Sequence, residues 1–222
     1  MTPADPGFLL PERKARIDAV VAQRTHTLTV VMEAFADSQN TNAVLRTAES
    51  FGVQEVHVIE GPQKRYDRNK KISQNADKWL EVVRWKDTAT CLAALKARGF
   101  RIYATHLGEG SATLAELSFA EPVALVFGNE HAGVSEAACR LADRTFAIPM
   151  RGFSQSFNVS VAAAICLARA VDRREVERGR HGDLTPAEAE ALRTRFYALS
   201  VNQRARVARA AQVEARRAAR KD

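Results

Sequence analysis

Short apolar runs alternate along this chain with stretches where apolar residues return every three or four positions, the two periods of strands and amphipathic helices. Leu28 to Met32, Val56 to Ile59, Leu80 to Val83, Arg101 to Thr105, Val123 to Phe127 and Thr145 to Ile148 read as strands. Between them, Asn42 to Phe51 reads as a helix that Gly52 stops, and Asp87 caps a helix running to Arg98 and closed by Gly99. Ser135 caps another to Ala142, and a long helix runs from about Asn158 into Arg173-Arg174-Glu175. Upstream, Pro11 starts a helical stretch with Ile17, Val20 and Val21 on one face and a basic face of Arg13, Lys14, Arg16 and Arg24. Downstream, His181-Gly182-Asp183 reads as a linker, and Thr185-Pro186-Ala187-Glu188 has the form of a capping box. The helix it opens sets Leu192, Phe196 and Leu199 on one face, a stripe expected to dock on the core or on a second subunit.

Strands alternating with helices predict an α/β protein, a mostly parallel sheet sandwiched by helices. Buried parallel strands are apolar on both faces, as Val123-Ala124-Leu125-Val126-Phe127 is. The expected organisation is an N-terminal helical extension over 1–27, a central domain over 28–175 and a basic helical extension over 176–222. A chain of 222 residues suffices for one substantial core with such appendages.

Composition narrows the partners. Hydrophobic residues make up 46% of the chain, and no apolar run approaches the roughly 20 residues of a membrane helix, so no membrane is expected. The N-terminus, with Asp5 and Glu12, does not read as a signal peptide. Cys91, Cys139 and Cys166 are scattered and odd in number, which argues against a disulfide framework or a metal site and for a cytoplasmic home. Thirty-three Lys and Arg against 26 acids give a net charge of +7, which suits a polyanionic partner and equally a soluble basic protein. The excess gathers in two blocks: Lys64-Arg65-Tyr66-Asp67-Arg68-Asn69-Lys70-Lys71, and Arg204 to Lys221. Each block by itself fits a solvated surface as well as a nucleic-acid contact.

Three stretches carry candidate chemistry. Asn40 and Arg46 stand six apart just after the first strand, where by themselves a capping Asn and a surface Arg are the favoured reading. Phe127-Gly128-Asn129-Glu130-His131-Ala132-Gly133 runs from a strand into a Gly-flanked loop, at the sheet edge where α/β ligands bind. Ile148-Pro149-Met150-Arg151-Gly152-Phe153-Ser154-Gln155-Ser156-Phe157-Asn158 leaves the last strand and sets Ser156 and Asn158 before a helix of small residues. Polar groups there face unpaired backbone donors, a setting for a ligand or for ordinary capping.

In this order and at these intervals, the stretches resemble the SPOUT superfamily, knotted RNA methyltransferases that use S-adenosylmethionine. Asn40 and Arg46 match its N-x-x-x-x-x-R motif, Phe127 to Gly133 its F-G-x-E-x-x-G segment, and Ser156 and Asn158 its S-x-N pair. The likeness spans residues 28 to about 170. With Thr47-Ala48-Glu49-Ser50-Phe51-Gly52 and the flanking helices, the chain is most similar to the tRNA guanosine-18 2′-O-methyltransferase group. That resemblance implies a C-terminal deep trefoil knot, a homodimer with the active site at the subunit interface, and tRNA as substrate. It implies Arg46, Asn40, Glu130, Ser156 and Asn158 as catalytic residues, with S-adenosylmethionine held near Thr105, Gly128, Ile148, Met150 and Phe157. His131 falls at a variable position and is given no role.

Other readings lose ground on particular residues. A nicotinamide-binding fold needs G-x-G-x-x-G after its first strand, and Met32 to Arg46 contains no glycine. The closing glycine of a serine hydrolase elbow is absent from Gly152-Phe153-Ser154-Gln155-Ser156. A non-catalytic RNA-binding protein on the same fold has no need of the Asn40, Arg46, Glu130, Ser156 and Asn158 set. A related enzyme acting on ribosomal RNA remains open, although such relatives often carry a separate N-terminal RNA-binding domain.

Overall fold

The computed structural model describes residues 9–60 and 76–201. They fall in two compact units: Arg24–Asp183, which holds the sheet, and a terminal unit drawn from both ends of the chain. The basic blocks 64–71 and 204–221 lie outside the described residues.

In the larger unit, seven strands form one sheet, and every pairing is parallel. They are β1 (Leu28–Glu33), β2 (Glu55–Ile59), β3 (Glu81–Trp85), β4 (Arg101–Thr105), β5 (Ala112–Thr113), β6 (Val123–Phe127) and β7 (Arg144–Ala147). Their spatial order is β3-β2-β1-β6-β4-β7-β5. Four helices cover the sheet: α2 (Ser38–Ser50), α3 (Thr88–Ala97), α4 (Glu136–Leu141) and α5 (Val159–Arg178). The two-residue β5 was not anticipated, because so short a segment carries no period.

Both faces of the sheet are buried, which explains the unbroken apolar run of β6. Val123, Leu125 and Phe127 join one core with Val44, Leu45 and Ala48 of α2 and Ala163, Cys166 and Leu167 of α5. Ala124 and Val126 point the other way, into a core with Cys91, Leu92 and Leu95 of α3 and Ala138 of α4. Alternation along each strand thus feeds two apolar layers. Burial pushes the Cys91 and Cys166 thiols up to about 12, so both are inert packing groups.

Two expectations are corrected here. Arg24 does not belong to a basic helix face: it is 1% exposed, and its Nη2 meets the Glu49 carboxylate at 2.5 Å while Nη1 donates to the Val53 carbonyl at 3.0 Å. Residues 181–183 are not a solvated linker. The Asp183 carboxylate accepts from Arg174 Nη2 at 2.7 Å, from Thr25 Oγ1 at 2.8 Å and from the His26 N–H at 3.0 Å. Arg174 has no exposed side-chain surface, so Asp183 supplies the countercharge that lets this guanidinium be buried. Charge in the sequence suggested surface; the fold turned these residues inward.

The terminal unit contains α1 (Pro11–Ala22) and α6, helical over 186–201. Thr185 and Glu188 form the expected capping box, with the Thr185 N–H donating to Glu188 Oε2 at 2.8 Å. Leu192 and Phe196 are buried, and α6 is bonded to α1 through Arg193 and Tyr197, both of which donate to Asp18.

Candidate active site

Adjacent strands β6, β4 and β7 end side by side, and the loops leaving their carboxyl ends enclose a cavity of about 610 Å³. In open α/β sheets this is where ligands settle, and the volume suits a small-molecule cofactor. Thr105, Gly128, Ile148, Met150 and Phe157 all line it. So do Glu130, Ser156 and Asn158. Phe127, Phe146, Ile148 and Met150 give it apolar walls fit for a flat aromatic ring, with polar groups at the loops.

Gly128 is required by close approach. A Cβ there would lie 2.1 Å from the Gly133 carbonyl carbon and 2.1 Å from the Val134 nitrogen, both backbone. Only glycine allows the loop to fold back on itself, which places backbone against the cavity. Gly133 closes the turn at φ 69° and donates its N–H to the Asn129 carbonyl at 2.8 Å. Asn129, which sequence reasoning passed over, braces the same loop. Its Nδ2 donates to the Ala34 carbonyl at 2.8 Å, and its Oδ1 accepts the N–H of His131 at 2.9 Å and of Ala132 at 3.1 Å. An Asn between a close-approach glycine and an acid was the available signal.

Glu130 joins this loop to the start of α2. Its carboxylate accepts the N–H of Ala36 at 2.9 Å and of Asp37 at 3.3 Å, and Asn40 Nδ2 at 2.8 Å. Partial burial pushes the carboxyl up, but these hydrogen bonds outweigh it and hold it below the ordinary value. Glu130 is therefore a fixed anion and an acceptor, not a proton donor at neutral pH. Asn40 Oδ1 in turn accepts from Asn158 Nδ2 at 3.1 Å, and Asn158 Oδ1 caps α5 by accepting the Ser160 N–H at 2.9 Å. A single polar relay, Glu130–Asn40–Asn158, thus links three segments far apart in sequence.

The residues expected to act together do so in part. Asn40, Glu130 and Asn158 are in direct contact, and Ser156 borders the same cavity from an exposed loop. Arg46 stands apart. It is exposed on α2 and does not line the cavity, and among the described residues its guanidinium has no hydrogen-bond or ion-pair partner. Asn40 sits near the entry to its helix, in the first turn, but does not cap it: Asp37 caps α2, accepting the Gln39 N–H at 2.7 Å. His106 and Leu107, after β4, line the cavity without having been singled out. Gly108 and Gly110 beside them are the signal in the sequence that could have drawn attention to this loop.

Among the described residues, no helix is long and apolar enough to cross a membrane, and no cluster of His, Cys, Asp or Glu is fit to hold a metal.

Comparison with known proteins agrees with this geometry. The SpoU rRNA Methylase family matches residues 27–168. The chain is 36% identical over 190 residues to the tRNA (guanosine(18)-2'-O)-methyltransferase of Borreliella burgdorferi, covering 86% of each chain. The crystal structure of the Aquifex aeolicus TrmH/SpoU tRNA modifying enzyme superposes with a TM-score of 0.78 at 31% identity, over 86% of this chain and 97% of that one. The SpoU methyltransferase AviRb of Streptomyces viridochromogenes, solved with the cofactor AdoMet, gives a TM-score of 0.61 at 25% identity, over 70% of this chain and 62% of that one. With a family match over most of its length and Glu130, Ser156 and Asn158 around one crevice at the sheet edge, this chain belongs to the SpoU methylase family.

Proposed function

We propose that this protein methylates the 2′-hydroxyl of guanosine 18 in the D-loop of tRNA, taking the methyl group from S-adenosylmethionine. The carrying observation is the cavity at the ends of β4, β6 and β7, in contact through Glu130 and Asn158 with the helix that bears Asn40 and Arg46. High-coverage relatives named for guanosine 18 favour tRNA over the ribosomal RNA in the family's description.

The residues present fit the cofactor. Thr105, Gly128, Ile148, Met150 and Phe157 would hold it, Gly128 because backbone there reaches the cavity without a side chain in the way. When bound, S-adenosylmethionine supplies an electrophilic methyl carbon on a sulfonium. The chain must then present a ribose hydroxyl in line with that carbon and ease loss of its proton. A guanidinium with a pKa above about 12 is a poor proton acceptor. Arg46 instead pairs with the phosphate beside the target ribose and polarises the hydroxyl, the proton passing to water. Glu130, Asn40 and Asn158 fix the strand-end loops against α2, and Ser156 lines the cavity that would hold the cofactor.

A homodimer with a shared active site follows from the same reading. Arg46 does not border its own chain's cavity, while Phe153 is fully exposed and Phe157 39% exposed on the loop that does. An apolar surface next to an incomplete site is the arrangement a second copy would complete. A deep trefoil knot in the C-terminal part of the domain belongs to the same proposal, supported by the likeness to the TrmH/SpoU enzyme. The family match and the compact unit favour a methyltransferase domain over about 28–175, flanked by extensions 1–27 and 176–222. A tRNA substrate favours a cytoplasmic home.

The test is incubation of unmodified tRNA, and separately of unmodified ribosomal RNA, with methyl-labelled S-adenosylmethionine, followed by mapping of the labelled nucleoside. Label is expected as 2′-O-methylguanosine at position 18, and is lost when that guanosine is replaced. Label confined to ribosomal RNA would move the enzyme to the family's other substrate class.

A further inference from the structure

The loop between β6 and α4 is fastened to the chain leaving β1 at both of its ends, and one buried carboxylate makes the second fastening. Glu33, the last residue of β1, is 5% exposed and does not line the cavity. Its Oε2 accepts the Ser135 N–H at 2.8 Å, and its Oε1 accepts Ser135 Oγ at 2.7 Å as well as the Thr88 hydroxyl. Ser135 closes the loop and caps α4, its Oγ accepting the Ala138 N–H at 3.1 Å. At the loop's other end, Asn129 holds the Ala34 carbonyl and Glu130 holds the N–H groups of Ala36 and Asp37. Segments 33–37 and 128–135 therefore form a closed hydrogen-bonded ring. Within it Ala34 sits at φ 52°, a left-handed conformation that a non-glycine residue keeps only when its surroundings impose it.

We propose that Glu33 is a positioning residue for methyl transfer, holding the loop that lines the cofactor cavity in register with the helix that carries Asn40 and Arg46. This inference deepens the methyltransferase reading and rests on it. The physical case is the number and kind of bonds. An ionised carboxylate accepts all three donors, and charge-assisted bonds are roughly twice as strong as neutral ones. Glutamine in its place has one acceptor oxygen and turns an NH2 group toward donors. Opening the ring at Ser135 leaves the loop held at one end, and α2 begins only five residues after Glu33. Misplacement by about 1 Å costs on the order of a hundredfold in a reaction that depends on in-line approach.

Two variants separate positioning from simple stability. Glu33→Gln breaks the ring, whereas Thr88→Val removes a hydroxyl that Glu33 holds on α3, outside the ring. Glu33→Gln is expected to lower kcat by about tenfold or more at saturating tRNA and cofactor, and Thr88→Val to leave it within about twofold, at matched folded fraction. Backbone hydrogen exchange gives a readout independent of activity. The Ala36 and Asp37 amides, which contact Glu130 and not Glu33, are expected to exchange about tenfold faster in Glu33→Gln and unchanged in Thr88→Val. Equal exchange in both variants, or a kcat within twofold for Glu33→Gln, overturns the proposal. A wild-type protein that methylates no tRNA defeats the methyltransferase reading instead, and the exchange comparison still decides whether Glu33 couples the loop to the helix.

Discussion

Arg46 is where chemistry and stability separate most cleanly. Its exposed guanidinium has no hydrogen-bond or ion-pair partner among the described residues, so its removal should cost the fold no more than about 0.5 kcal/mol. Arg46→Ala is therefore expected to lose methyl transfer by about a hundredfold or more, with an unchanged melting temperature. Labelled-methyl incorporation beside a thermal melt checks both halves, and near-normal turnover would remove Arg46 from the mechanism. Gly128 is the opposite case, readable from sequence only as a glycine after a strand. The Gly133 and Val134 backbone packed where a Cβ would sit shows why no other residue fits. Glu33 was silent in the sequence. An acid ending an apolar strand is an ordinary surface residue unless the fold buries it, and here three donors converge on it.

At the scale of elements, strands and helices were legible because their periods are local, and the boundaries moved by a few residues where caps decided them. Asp87 and Ser135 cap α3 and α4 as their sequence positions predict, whereas α2 starts at Asp37 because the Asp side chain reaches the Gln39 N–H. The sheet also carries a pH dependence that no periodicity shows. Glu55, opening β2, is pushed up by burial, but His57 and Arg98 outweigh that and bring it from 4.5 to about 2. Its Oε1 lies 2.5 Å from Arg98 Nη1 and 3.0 Å from His57 Nε2. A carboxyl whose folded pKa lies below its unfolded one stabilises fully above about 4.5 and loses that contribution as pH falls toward about 2. Between pH 5 and 2, the wild type should lose on the order of 1–3 kcal/mol more than Glu55→Gln, allowing for the half-exposed Arg98. Urea unfolding midpoints across that range measure the difference; parallel curves would remove Glu55 from the acid response.

For the molecule as a whole, the proposed homodimer is what can be tested, since Arg46 does not line its own chain's cavity. Phe153→Asp, at a fully exposed apolar position beside the cavity, is expected to shift the protein from dimer to monomer in sedimentation and to abolish methyl transfer. A variant that stays dimeric and active would place the subunit contact elsewhere. The sequence by itself determined the α/β alternation, the family and the identities gathered in its three motifs, because periods and short motifs are properties of neighbouring residues. It also held Asn40, Glu130 and Asn158 as separate candidates. Only the tertiary structure decided that they form one relay, that Arg174 and Asp183 are buried partners, and that Glu33 closes a ring around the loop. The reason is physical: strand order brings β1, β4, β6 and β7 side by side, and the relay and the ring, whose partners lie about a hundred positions apart, exist only once that order is set, while Arg174 and Asp183 are buried only when α5 packs on the segment before β1.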